Sequence, residues 1–306
     1  MANPQAYTYT AAGARTVQQR LDIVDAIYRV SIEETPITSM LAKRKVTNHE
    51  PMKVEDDIQA LDNTNFHAEG SVAPAAASTA RTTRTGRCQL LKKTAEVTHD
   101  QLAAAQYGIA DELAYQTLLR RAELLKDGEL FVISDQAAQA MTPANARVAK
   151  MQGMGSIITT NTNLTANFNQ VNFNAQVTAA FATEGGNPTE IYLDATRKVA
   201  VAAWTDTVTR YHEELKRLVN EVQVYATPIG QTVNFHLHKY MPQNIVGLAA
   251  VCLGLDMGPQ TNWELLEYIP ISTLELPDLG GTKSRQLEWR FCVLPGVEKS
   301  NFSFAG

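Results

Sequence analysis

Three observations predict an α+β fold organised around one dominant helix. Residues 100–141 run for 42 residues without a proline and are rich in Ala, Leu, Glu, Gln, Lys and Arg, residue types that lose little side-chain freedom in a helix. Residues 221–238 alternate on either side of Thr227-Pro228-Ile229-Gly230, the pattern of a β-hairpin. Between residues 62 and 86 lie 25 residues with only two large apolar side chains, Phe66 and Val72, too few to build a core of their own.

The first 42 residues read as an arm. Leu21, Val24, Ile27 and Tyr28 recur at helical spacing. Thr35 before Pro36 is an N-cap and first-turn signature for a second short helix reaching about Ala42. Two short helices bury too little to stand alone, so they must lie on something. Lys43–Asp56 and Arg87–Thr98 have strand-like composition and flank the apolar-poor stretch, so residues 43–98 read as a long two-stranded projection. Loops beyond about 12–15 residues without structure of their own are uncommon, and an isolated hairpin is marginally stable. The projection is therefore expected to rest on a neighbour.

The helix over 100–141 would be roughly 60 Å long at 1.5 Å per residue if unbroken. Leu118, Ala122, Leu125 and Val132 define its expected buried stripe, with Arg120, Arg121, Glu123, Lys126 and Glu129 mostly off it. Gly108 and Gly128, each costing about 1 kcal/mol against Ala, mark expected bends. Six asparagines between 161 and 174 then give a loop composition. Asn174 is expected to cap a helix through Val177 and Phe181 that stops at Gly185-Gly186-Asn187-Pro188. Glu190–Leu193 reads as a strand, and Asp194 as the cap of a helix to about Trp204 that buries Val199, Ala200 and Ala203. In the hairpin, Val222, Val224 and Ala226 oppose Glu221, Gln223 and Tyr225, and Val233, Phe235 and Leu237 alternate with Thr232, Asn234, His236 and His238. Late strands follow, one placing Leu287, Trp289 and Phe291 on one face and another running to Phe304.

Composition bounds the function. A 33.6 kDa chain of 44% hydrophobic and 19% charged residues is ordinary for a folded protein, and at this mass it buries about three quarters of its unfolded surface. With 27 basic against 32 acidic residues and a pI near 5.7, it lacks the basic footprint of a dedicated nucleic-acid binder. The longest apolar patches, such as Ile245–Leu255, fall short of the ~18 residues of a membrane span. The opening ten residues show no charged-then-apolar pattern, so no secretory signal is expected. Cys88, Cys252 and Cys292 are odd in number and widely spaced, which reads as free thiols in a reducing compartment.

Motifs for chemistry are missing from the sequence. There is no phosphate-cradling Gly-x-x-x-x-Gly-Lys-Ser/Thr, no Gly-x-Gly-x-x-Gly and no Gly-x-Ser-x-Gly. His212-Glu213-Glu214 begins like a zincin helix without its second histidine, and His49-Glu50 falls short in the same way. His236 and His238, at i and i+2 on a strand, share a face but bring no evident third ligand. Glu55-Asp56-Asp57 lacks a calcium-loop spacing. No enzyme activity, metal or cofactor is expected.

One charge contrast stands out. Arg81, Arg84, Arg87, Lys92 and Lys93 have no acid between them, whereas Glu50 to Asp57 holds four acids and one lysine. The two runs occupy opposite arms of the projection. They either neutralise each other within it or pair across copies to set the register of an assembly. A nucleic-acid patch is the third option, with no interleaved aromatics to support it.

The order of arm, projection, long helix, mixed domain and strand-rich return resembles the major capsid proteins of tailed phages, with the Hong Kong 97-type shell fold. Glu34-Thr35-Pro36-Ile37-Thr38-Ser39 resembles their arm motif. Thr47-Asn48-His49-Glu50 resembles the start of their extended loop, though Pro51 and Met52 stand where a tryptophan is often found. Glu184-Gly185-Gly186-Asn187-Pro188 with Ile191 resembles an apical turn. The resemblance implies an N-terminal arm over 1–42, an extended β-hairpin loop over 43–98, a peripheral domain with the spine helix over 99–154 and 266–306, and a mixed apical domain over 155–265.

It further implies a shell of pentamers and hexamers of this chain around packaged double-stranded DNA, bound without sequence preference. Scaffold, portal and decoration proteins are the implied partners, no membrane is involved, and assembly takes place in the host cytoplasm before residence in the virion. Glu50, Glu55, Asp56, Asp57, Arg81, Arg84 and Arg87 are the intersubunit contact candidates. The alternatives are a non-viral compartment shell of encapsulin type and another phage structural protein of the tail or decoration.

Overall fold

Two sheets that share a core carry the chain. The computed structural model describes residues 35–56, 62–76, 78–103, 111–163, 168–184, 186–204, 210–212, 217–219, 224–241, 250–259, 263–278 and 280–305; expectations about Leu21 to Glu34, Asp57, Gly108, Gly185 and Val222 fall outside them. In chain order the elements are α1 (Pro36–Met40), β1 (Ala42–Lys45), β2 (Met52–Glu55), β3 (Thr82–Thr85), β4 (Gln89–Thr98), α2 (His99–Ala103), α3 (Glu112–Ile133), α4 (Met154–Ile157), β5 (Thr162–Asn163), α5 (Gln170–Glu184), β6 (Glu190–Leu193), α6 (Ala195–Ala202), β7 (Arg210–His212), β8 (Arg217–Val219), β9 (Val224–Ala226), β10 (Thr232–Leu237), β11 (Ala250–Leu255), β12 (Glu264–Glu275), β13 (Thr282–Leu294) and β14 (Phe302–Ala305).

The first sheet has the order β1-β12-β13-β4. Alternation builds it as the sequence predicts: Leu287, Trp289 and Phe291 of β13 and Leu91, Ala95 and Val97 of β4 are buried, while Lys92, Thr94 and Glu96 point out. The β12–β13 register shifts around Ile269, next to Pro270, which has no N–H to give the ladder. The flanks of the expected projection are strands of this sheet: β1 pairs in parallel with β12, and β4 pairs with β13 over ten residues from Thr98 to Gln89.

Helix α3 crosses the sheet, and here the structure corrects the expectation in two ways. Asp111 caps it through the Ala114 N–H at 3.1 Å, and it ends at Ile133, so the spine is 22 residues long. Beyond Ser134 the chain is extended because its polar groups are used elsewhere: the Gln136 side chain donates to Gln89 Oε1 and to the Met151 carbonyl, both at 2.7 Å, and Gly153 N–H donates to the Gln136 carbonyl. The buried stripe is also rotated. It comprises Leu113, Leu124, Gly128, Glu129, Val132 and Ile133, while Leu118 is 54% exposed. A glycine and a glutamate mark the true contact line, and neither carries a hydrophobic signal.

The second sheet runs β5-β14-β11-β6-β10-β9. One face packs Ile191, Leu193, Tyr225, Val233, Phe235, Phe302 and Phe304 against α5 and α6 through Phe173, Val177, Val201 and Trp204. Tyr192, Leu253 and Leu255, from the other face, join the first core. The terminal strand β14, expected with the 266–306 segment, pairs with β11 in this sheet.

Asp194 caps α6 as predicted, but Val201 is buried and Val199 exposed. Helix α5 starts before Asn174, with Asn172 N–H donating to Asn169 Oδ1 at 2.8 Å, and it buries Phe173 and Val177 while leaving Phe181 half exposed. In the hairpin, Tyr225 faces the core opposite Val233, and Val224 and Ala226 face out. The larger aromatic wins the core face because it fills the space beside Trp204 and Phe235. Gly230, at φ +86°, closes the turn.

Gly128 meets Trp289 so closely that an added Cβ would lie 2.2 Å from Trp289 Cζ3. Alanine is favoured over glycine by about 1 kcal/mol in a helix interior, but overpacking a filled core costs about 1–3 kcal/mol. Gly128→Ala is therefore expected to destabilise the protein in urea unfolding. A higher unfolding midpoint would contradict this packing.

Candidate assembly interface

The projection is a two-stranded ribbon. Strands β2 and β3 pair antiparallel from Met52 opposite Thr85 to Glu55 opposite Thr82. The ladder continues to its root, where Gly86 N–H donates to the Pro51 carbonyl at 2.7 Å and Cys88 N–H to the His49 carbonyl at 2.9 Å. Period-2 geometry divides the ribbon into two faces. Met52 and Val54, 58% and 54% exposed, share the outer face with exposed Thr83 and Thr85.

The inner face carries Lys53, Glu55 and Arg84. Lys53 and Arg84 are directly opposite, a like-charge arrangement that costs energy unless each finds an acid. Lys53 Nζ lies 3.0 Å from Glu264 and 3.4 Å from the Leu294 carbonyl. Arg84 lies 3.2 Å from Glu55 and 4.0 Å from Glu298. Glu298 is itself buried and accepts from the Thr159 and Thr160 N–H groups at 2.6 and 2.9 Å. The inner face thus ties the ribbon to the ends of the core strands.

The arginines of the charge contrast pair across the ribbon within the chain, while Lys92 and Lys93 face Glu288 and Asp127. Arg81 pairs with Asp56 at 2.9 Å, Arg84 with Glu55, and Arg87 with Glu50 at 2.7 Å. Six of the seven contact candidates are described, and all six sit on this one projection. Beyond the ribbon, Asp62 accepts from Thr64 N–H and Oγ1, which lowers its pKa and fixes a turn. Phe66 and Val72 stand exposed at the tip.

The second element is the docking of the arm, which the sequence did not reveal. Helix α1 has no side-chain cap from Thr35. Glu129 of α3 supplies one instead: its carboxylate accepts from Ile37 N–H and Thr38 N–H, both at 2.8 Å, and from Thr38 Oγ1. His238, just past β10, donates from Nε2 to the same carboxylate at 2.9 Å. Glu129, His238, Ile37 and Thr38 are all buried. Tyr192 packs beside them, its hydroxyl against Met40 Sδ, with its pKa pushed up by burial and by Glu190 and Glu129. His236 reaches Glu190. The two histidines are therefore committed to different carboxylates, and among the described residues no three His, Cys, Asp or Glu side chains are grouped to hold a metal. A glutamate 92 residues from its partner leaves no local signal.

Among the described residues no helix is long and apolar enough to cross a membrane. A family model described as SU10 major capsid protein matches residues 6–306. The major capsid protein of Escherichia phage Phieco32 is 28% identical over 138 residues, 45% of this chain and 38% of that protein, so the match spans about two fifths of the relative's length. Among solved structures, the capsid of a native GTA particle is similar at a TM-score of 0.67 and 12% identity, covering 98% of this chain and 99% of that one. The capsid of cyanophage P-SCSP1u is similar at a TM-score of 0.61 and 10% identity, covering 94% and 93%.

Two predictions follow from the ion pairs and the arm. The Arg81–Asp56 pair, 71% and 55% exposed, is worth about 0–1 kcal/mol, whereas Arg84→Ala removes a cation from a half-buried network and is expected to cost about 1–2 kcal/mol. Paired urea titrations of Arg81→Ala and Arg84→Ala check the ranking. Glu129→Leu leaves two N–H groups, a hydroxyl and an imidazole without their acceptor, at an expected cost of about 3–5 kcal/mol. Limited proteolysis should then cut near residues 35–41 far faster than in the unaltered chain.

Proposed function

The chain belongs to the SU10 major capsid protein family, and from that membership we propose that it is the shell subunit of a phage head. Its fold is the Hong Kong 97-type capsid fold, carried by the likeness to phage capsids over nearly the whole chain. In this reading many copies associate as pentamers and hexamers into an icosahedral shell around double-stranded DNA. The work proposed for the chain is mechanical. An acidic wall of net charge −5 encloses DNA without gripping it. Scaffold, portal and decoration proteins are its proposed partners, and the host cytoplasm its place of assembly.

The observation that carries the reading beyond family membership is the outer face of the ribbon. Ordering a residue costs about 1–2 kcal/mol of backbone entropy, and the projection has too little apolar content to offset that alone. Exposed Met52 and Val54, on a ribbon too thin to be stable by itself, are supported by burial against a second copy. We assign residues 1–42 as the arm, 43–98 as the extended loop with its flanking strands β1 and β4 rooted in the first sheet, 99–154 and 266–306 as the peripheral domain, and 155–265 as the apical domain, which borrows β14. The acids and arginines Glu50, Glu55, Asp56, Asp57, Arg81, Arg84 and Arg87 lie on the loop assigned to the contact between copies. The most exposed pair, Arg81–Asp56, is the one whose partners exchange at least cost.

Negative-stain electron microscopy after size exclusion tests this, on the chain expressed alone and with its neighbouring genes. Closed polyhedral particles are expected. Replacing residues 63–80 with a short Gly-Ser turn keeps β2 and β3 and is expected to leave a folded chain that builds no shells. Normal shells from that variant would overturn the loop assignment, and no particles under either expression condition would overturn the shell reading.

A further inference from the structure

Cys88 and Cys292 are separated by 204 residues, yet their Sγ atoms lie 3.6 Å apart, both buried. The register explains the contact. The β4–β13 ladder ends with Gln89 opposite Phe291, so the next step sets Cys88 against Cys292. Residues directly opposite in an antiparallel pair have Cα atoms about 4.5–5.5 Å apart, inside the roughly 4.4–6.8 Å that a disulfide spans. Shortening the sulfur separation to about 2.05 Å calls for side-chain rotation, not movement of the sheet.

The position gives the pair a consequence. Cys88 N–H makes the last hydrogen bond at the ribbon root, whereas Cys292 lies within β13 of the core sheet. The site is tight: a Cβ on Gly86 would come within 3.0 Å of Cys292 Sγ, which leaves no room for a bulky adduct. A small oxidant suits it.

We propose that Cys88 and Cys292 form an oxidisable dithiol, which a small peroxide converts into an intrachain disulfide that pins the projection to β13. In the first step the Cys88 thiolate attacks a peroxide oxygen. The S–O bond forms as the O–O bond breaks, and the departing hydroxide takes up the proton Cys88 has shed. In the second step the Cys292 sulfur attacks the Cys88 sulfenic sulfur. The S–S bond forms, the S–O bond breaks, and the leaving hydroxyl takes the Cys292 proton to become water. Two thiols lose two electrons, and one peroxide becomes two waters.

The order of attack follows from the surroundings. The hydrogen bond with Cys292, and after it the charge of Arg290, lower the Cys88 pKa, and that same hydrogen bond and burial raise Cys292; the thiolate is the nucleophile. Cys252, buried in the other core and pushed well up by burial, is the internal control. This chemistry belongs to the single chain and does not depend on the shell reading.

The test uses the full chain, purified with reductant, moved to reductant-free buffer and treated with hydrogen peroxide. Remaining thiols are alkylated in denaturant, and the chain is digested with trypsin without reduction. The expected result is peptide 88–92 joined to peptide 291–299, two hydrogens lighter than the sum, with Cys252 alkylated and no linked dimer on a non-reducing gel. Because the bridge closes a long loop, the melting temperature should rise by roughly 5 °C or more. In Cys292→Ser the rise should vanish and Cys88 should pass on to sulfinic acid for want of a resolving thiol. Full alkylation of both cysteines after peroxide, sulfinic acid at Cys88 in the unaltered chain, or a link between chains would overturn the proposal. Should the variant fail to fold, the peptide map of the unaltered chain decides alone.

Discussion

A single buried carboxylate, that of Glu129, holds three parts of the molecule in register. It sits on the spine helix, caps the helix of the arm and accepts a hydrogen bond from His238 at the end of a strand in the second sheet. Burying a carboxylate costs several kcal/mol, and charge-assisted hydrogen bonds contribute about 1.5–3 kcal/mol each. A buried ionic node of this kind is weak evidence for net stability. What it adds is selection: only one placement of the arm helix presents its N–H groups to both oxygens. A purely apolar contact between arm and spine would tolerate sliding; this one does not.

The same device recurs at the other junctions. Glu298, buried, collects the Thr159 and Thr160 N–H groups and faces Arg84 of the ribbon. Asn301, also buried, accepts from Asp256 N–H and Trp263 Nε1 and donates to the Val297 carbonyl. Apolar packing fills the two cores, whereas polar hubs define how arm, ribbon and sheets meet. Such a division suits a shell subunit. In the proposed shell a rigid core would present the same surfaces in every copy, and the appendages would leave it at defined angles. Among the described residues the outer face of the ribbon leaves Met52 and Val54 exposed.

Much of this architecture was readable from local sequence. The alternation of Leu287, Trp289 and Phe291, the cap at Asp194, the turn at Gly230 and the paucity of apolar residues from 62 to 86 all predict the elements found there. The errors share a cause. The spine was given a stripe through Leu118 and an end at 141, and helix α6 a core contact through Val199. The stripe and the contact were chosen by hydrophobicity and the end by helix propensity, both local measures, whereas packing and polar partners decided the structure: Gly128 makes a slot for Trp289, Val201 enters the core in place of Val199, and Gln136 draws the chain away from the helix.

Most helices and strands and the projection are legible from local patterning, because propensity, capping and period-2 or period-3.6 patterning act over a few residues. The sequence by itself also determined where opposite charges stand on the two arms of the ribbon. Long-range packing alone makes Glu129 cap the arm helix, sets Glu298 beside Arg84 and brings Cys88 against Cys292. These partners are separated by 91 to more than 200 residues. Nothing in local propensity couples positions so far apart; the packing of the sheets and the register of β4 against β13 bring them together.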